Sequence, residues 1–170
     1  MPLYLHELSH LVLSFFIAFI IWKKLHKHFG VFIAALLGGV FIDFDHLIDY
    51  FLAFGTKFNL IYFLKGYQFL KSDKIYVPFH SWELVIILFL TLPAVALLCK
   101  QAKEGLFIRM IILAFSISFF LHLSVDVYTN SMKAQSYFLI YRMQNNFDLK
   151  KLVTHSHYQK HLKQKAQIIF

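Results

Sequence analysis

Cysteine is almost missing from this 170-residue chain: Cys99 stands alone, which excludes an internal disulfide. Internal repeats and low-complexity linkers are missing too, and the length suits one compact domain. The N-terminus lacks the basic n-region of a secretory signal, and its apolar stretch ends in Trp22-Lys23-Lys24 rather than in small residues. Lys and Arg are absent from four long stretches: Met1–Trp22, Phe29–Thr56, Ile75–Leu98 and Ile111–Ser131. Each is long enough for a helix of about 20 residues to cross a hydrocarbon core of about 30 Å.

What is present agrees with lipid as the solvent. The chain is 59 % apolar and holds 21 Phe, beyond the share usual for a water-soluble domain. The expected fold is all-α, an integral membrane bundle of four transmembrane helices. The spans run from Leu3 to about Trp22, Val31 to Phe54, Pro78 to Leu98 and Leu106 to Val127. Gly38-Gly39 permits close helix approach in the second span. Between spans two and three, residues 55–77 mix Lys with Phe and Tyr, as a head-group connection does. Residues 1–130 form the membrane domain in this reading. Residues 131–170 form a basic polar tail, with a short interfacial helix near Ala134–Met143. The net charge of +8 flanks the spans or sits in the tail, which suits membrane lipid as partner better than nucleic acid.

The acidic residues are few and oddly placed. Of nine Asp and Glu, six lie in or at the ends of the spans: Glu7, Asp43, Asp45, Asp49, Glu83 and Asp126. His6, His10, His46, His80 and His122 follow the same habit, whereas Asp73, Glu104 and Asp148 look like ordinary solvated acids. Ionisable groups inside a span cost roughly 2.5–3.5 kcal/mol each and mark function by default. With four alternating crossings, the start of span one, the end of two, the start of three and the end of four share one leaflet, so all eleven residues converge. His6/His10, Asp43/His46, Asp45/Asp49 and His122/Asp126 are three or four apart, on common helical faces. Imidazole and carboxylate together form the ligand set of zinc, manganese and iron sites. The tail residues His155, His157 and His161 read as solvated.

Three resemblances bear on these residues. His6-Glu7-Leu8-Ser9-His10 is a literal H-E-x-x-H, similar to the helix of zinc metalloproteases, including intramembrane ones. The wider set resembles the YdjM-like family of membrane-bound metal-dependent hydrolases. It has an N-terminal His helix (His10), Gly38-Gly39 leading to Asp43-Phe44-Asp45-His46, then His80-Ser81, and an H-x-x-x-D helix from His122 to Asp126. That resemblance covers about residues 6 to 130, with Ile42 standing where the family tends to have Pro. More distantly, H-x-x-x-D is similar to a helix of zinc-dependent phospholipase C and the S1/P1 nucleases.

The resemblance implies a hydrolase of the bacterial cytoplasmic membrane that holds one or two divalent ions, zinc or manganese. Its ligands would be His10, Asp43, Asp45, His46, His80, His122 and Asp126, with His6 a further candidate. Glu7 or Asp49 would be the general base, or a carboxylate that orients a ligating histidine. A phosphoester or lipid-linked substrate is expected. Three alternatives stand beside it: an intramembrane zinc protease centred on Glu7, a metal or proton transporter, and a scaffold that keeps a metal for structure.

Overall fold

A computed structural model describes residues 3–24, 28–98 and 102–168. Among these residues the secondary structure is helical, without a β-strand; isolated bridges pair Lys74 with Asp148 and Met132 with Val153. In chain order the helices are α1 (Leu3–Lys24), α2 (Phe29–Val40), a 3-10 segment (Phe41–Phe44), α3 (Asp45–Phe54), α4 (Leu60–Leu64) and α5 (Tyr67–Ser72). Then follow α6 (Trp82–Leu98), α7 (Ala102–Thr129), a second 3-10 segment (Ala134–Tyr137), α8 (Leu139–Gln144), α9 (Leu149–Leu152) and α10 (His155–Lys165). Two stretches, Phe29–Phe54 and Gly105–Thr129, are long and apolar enough to cross a membrane; Trp82–Val95 is apolar but shorter.

The chain folds as two compact units. One comprises residues 8–42 and 82–125, the other residues 1–7, 43–81 and 126–170. They are called here the apolar unit and the polar unit.

Small side chains build the apolar unit. Ala18, Ile21, Val31, Ala34, Ala35 and Ala114 form its buried core, with Phe32, Met110 and Phe115 packed against it. A Cβ at Gly38 would run into the backbone carbonyl of Phe115, and one at Gly39 into the Ser14 side chain. Glycine is what lets these backbones approach. On α1 the buried positions are His10, Ser14, Ala18 and Ile21. The exposed ones are Leu8, Leu11, Val12, Phe15, Phe16 and Phe19. Both sets recur at three- and four-residue spacing, so the helix has two faces, and the outward one is the more apolar. This inverts the arrangement of a helix on a water-soluble domain.

The polar unit is built from short helices and a loop. Asn59 caps α4, its side-chain oxygen accepting from the N–H groups of Ile61 and Tyr62. The buried Tyr50 ring packs with Phe54, Phe58 and Phe63, and its hydroxyl accepts from Asn59 N–H at 2.8 Å. A second core gathers Ile75, Val77, Leu149, Leu152 and Val153.

Three expectations need correction. The third span does not start at Pro78: its helix begins at Trp82, so His80 belongs to a loop. The backbone there is not helical: Ser81 N–H reaches Phe79 O two residues back, and the N–H groups of Phe79 and His80 turn to Asp45 of α3. The 131–170 segment is no polar appendage, since Leu149, Leu152 and Val153 share a core with Ile75 and Val77. Nor are Asp73 and His161 simply solvated: His161 is buried and lies 2.8 Å from Asp73, which Lys165 also contacts. Partial burial pushes the Asp73 carboxyl up, but hydrogen bonds from Lys165 and His161 outweigh it and hold the group below its usual range.

Candidate metal centre

The loop from Tyr76 to His80 is held by two carboxylates one turn apart on α3. Asp49 accepts from Tyr76 N–H at 2.9 Å with one oxygen and from Val77 N–H at 3.1 Å with the other. Asp45 Oδ2 accepts from the N–H groups of Phe79 (2.8 Å) and His80 (3.2 Å).

Arg142 of α8 braces the same loop through its carbonyls. It is fully buried and donates to Val77 O at 2.9 Å, His80 O at 2.8 Å and Ser136 O at 2.7 Å. Sequence reasoning missed it by treating the tail as solvated. A signal was there, because Arg142 is the single arginine in a tail of lysines. The guanidinium is the basic group whose planar fork serves several fixed acceptors at once.

His80 is thereby fixed in position, and its ring is fixed in orientation. Nδ1 lies 2.9 Å from Asp45 Oδ2, a carboxylate oxygen that only accepts, so Nδ1 donates. Nε2 then faces Asp43 Oδ1 and Asp126 Oδ2, each at 3.3 Å. A neutral ring would turn a lone pair toward two carboxylates, so a positive species belongs at that point: a proton on Nε2, or a metal ion. Burial pulls the His80 pKa down, but Asp45, Asp126 and Asp43 prevail and hold it well above the usual histidine value. His46 stands beside this group, its ring centroid 5.1 Å from that of His80 and its Nε2 3.9 Å from Asp43 Oδ1. One ligand atom each from Asp43, His46 and His80 lie within 4.8 Å of one another. Two imidazole nitrogens and a carboxylate form a donor set that zinc and manganese accept.

The apolar unit holds its own pair. His10 and His122 are buried with ring centroids 3.9 Å apart. His122 Nδ1 lies 2.7 Å from the carbonyl oxygen of Gly39, which again makes Nδ1 the donor and leaves Nε2 as the ligating nitrogen. Gly39 lies in the last turn of α2, just before the 3-10 segment Phe41–Phe44.

The structure thus brings together Asp43, Asp45, His46, Asp49, His80 and Asp126 in the polar unit, and His10 and His122 in the apolar unit. Asp49 turns both oxygens to the loop backbone, so it orients main chain and not a histidine. His6 and Glu7 belong to α1 by their backbone, but their side chains lie outside the described residues. Glu83 sits in the first turn of α6. Comparisons with protein-family models, curated proteins and solved structures gave no match.

Proposed function

We propose that this chain is a membrane-embedded, metal-dependent hydrolase that acts on a phosphoester or lipid-linked substrate. The observation that carries the reading is the environment of His80. One ring nitrogen is committed to Asp45, while the other points at Asp43 and Asp126 with His46 alongside. A carboxylate that holds the far nitrogen of a ligating histidine is a recurring support for bound metal.

Asp43, His46 and His80 would hold the ion, with Asp126 beside them; in the apolar unit, the His10–His122 pair is a separate candidate. A divalent ion there supplies Lewis acidity, stabilising charge on a phosphoryl or carbonyl oxygen and bringing the pKa of water toward neutrality. The chain's own residues do the rest. Asp45 fixes the tautomer and direction of His80, and Asp49 and Arg142 keep the loop from moving. A rigid first coordination sphere matters, because errors of about 1 Å in position erode catalysis strongly.

The membrane placement rests on the exposed apolar side chains. Beyond Phe29–Phe54 and Gly105–Thr129, we propose α1 and α6 as the remaining two of four spans. Ile86, Ile87, Leu90, Leu97 and Leu98 on α6 are exposed, as is the Leu/Phe stripe of α1. Apolar surface on this scale has a natural partner in lipid.

The test is elemental analysis of the detergent-purified full chain, wild type beside the Asp43→Ala/His46→Ala double variant. About one or two equivalents of zinc or manganese in wild type, lost in the variant, is the expected result, followed by turnover of phosphodiester and phospholipid substrates. A folded wild type that takes up no metal even when it is supplied would sink the hydrolase reading.

A further inference from the structure

A cavity of about 1020 Å³ in the polar unit is lined by His46 and His80 and also by α10, the last helix of the chain. Its wall is largely apolar, with Leu70, Ile75, Val77, Met132, Leu149 and Val153 among the lining. Its charged lining has one sign. Lys65, His157 and Lys160 face it, and none of the described residues that line it is acidic. That bias is notable beside His46 and His80, where carboxylates crowd together behind the imidazoles. Partial burial, together with His161 and Lys160, pulls the His157 pKa below the usual histidine value, as a locally positive environment does.

We infer that this cavity binds an anionic amphiphile, with Lys65, His157 and Lys160 holding a phosphate head group near His46 and His80 and the apolar wall taking its acyl portion. The inference deepens the hydrolase reading and rests on it for the reaction, though not for binding itself. Two lysines and an imidazole match phosphate oxygens through charge-assisted hydrogen bonds. The cavity volume lies at the upper end of the range for small-molecule sites, enough for a head group with part of its chains. Lys65 belongs to the aromatic connection expected at the head-group level and Lys160 to the basic tail, so the two segments meet at one ligand site.

The experiment is calorimetric titration of the detergent-purified full chain with dihexanoyl phosphatidate, short enough to remain monomeric. Each titration is run in EDTA and again with zinc, and metal content is read on the same preparations. Phosphatidate is expected to bind in both conditions, and dihexanoylglycerol, which lacks the phosphate, to bind in neither. Lys160→Ala should weaken binding about tenfold, the loss of one charge-assisted contact, and Lys65→Ala/Lys160→Ala further. Lys163→Ala, exposed on the same helix but not lining the cavity, should bind as wild type.

Equal binding of dihexanoylglycerol overturns the inference, and so does a Lys163→Ala loss as large as that of Lys160→Ala. Inorganic phosphate binding as tightly as phosphatidate also overturns it, because the apolar wall would then contribute nothing. Protein that takes up no zinc even when it is supplied, yet binds phosphatidate, would count against the hydrolase reading alone. Metal-replete protein that ignores phosphatidate would count against this inference alone.

Discussion

The two units hold a histidine in the same tautomer by opposite means. In the polar unit Asp45 takes the Nδ1 proton of His80, inside a mesh of carboxylates, loop N–H groups and a buried arginine. In the apolar unit the acceptor for His122 is the backbone of Gly39, reached because Gly38, Gly39, Ser14 and Ala18 keep the helices close. A charged network can be tuned by one side chain. A backbone acceptor cannot be mutated and is lost only by pushing helices apart. The contrast predicts that the polar unit fails residue by residue through unsatisfied partners, and the apolar unit through steric volume.

Arg142→Leu should produce the largest loss. It leaves the carbonyls of His80 and Ser136 buried without their donor and takes one of two donors from that of Val77, at roughly 3 kcal/mol or more in total. Thermal unfolding in detergent reads it. Arg142→Lys should recover little, because one ammonium does not reproduce the fork. A cost no larger than that of an exposed lysine would break the contrast.

Gly38→Ala comes next, at about 1–3 kcal/mol of overpacking. Its Cβ meets backbone, so no second mutation is expected to relieve it. Gly39→Ala meets the Ser14 side chain, and Ser14→Gly should recover part of its loss. Equal rescue of both variants would contradict steric control by the backbone.

Asp45→Asn sharpens the comparison from the other side. The amide oxygen still accepts from the loop, so the stability cost should stay near about 1 kcal/mol. Metal affinity should fall about 10–100-fold, as for other lost supporting partners. Chelator competition measures it, and unchanged affinity would remove Asp45 from the site.

The smallest effect concerns Asp73. Its folded pKa lies below the unfolded value of 3.8, so it adds stability above that value, and the gain fades as pH falls through the lower folded pKa. The side chain is half exposed, and its contribution should stay below about 1 kcal/mol. Asp73→Asn should therefore lower the melting temperature slightly at pH 7 and bring it level with wild type in strong acid. A constant offset at every pH would show that charge is not the cause.

Much of this was legible in the sequence because lipid and metal both leave compositional marks. The Lys-free runs anticipated the long helices, and the clustering of six acids near histidines anticipated Asp43, Asp45, His46, His80 and Asp126 as neighbours. Helical spacing could not reveal which carboxylates face the ring and which face the loop. Asp45 and Asp49 share a face of α3, yet one holds an imidazole as well as backbone and the other holds backbone alone. That division depends on contacts 27 to 35 residues away, beyond any local pattern. The partners of Arg142 were illegible for the same reason, the carbonyl of His80 lying 62 residues away.

The bracing of the 76–80 loop by Arg142 also has a consequence in time. A ribosome adds about 5–20 residues per second, so roughly 4–15 s separate the appearance of His80 from that of Val153. Until Arg142 appears, the loop is held to α3 through Asp45 and Asp49. The histidine reaches its final setting only once the last quarter of the chain has been made, and a prematurely terminated product lacks that setting.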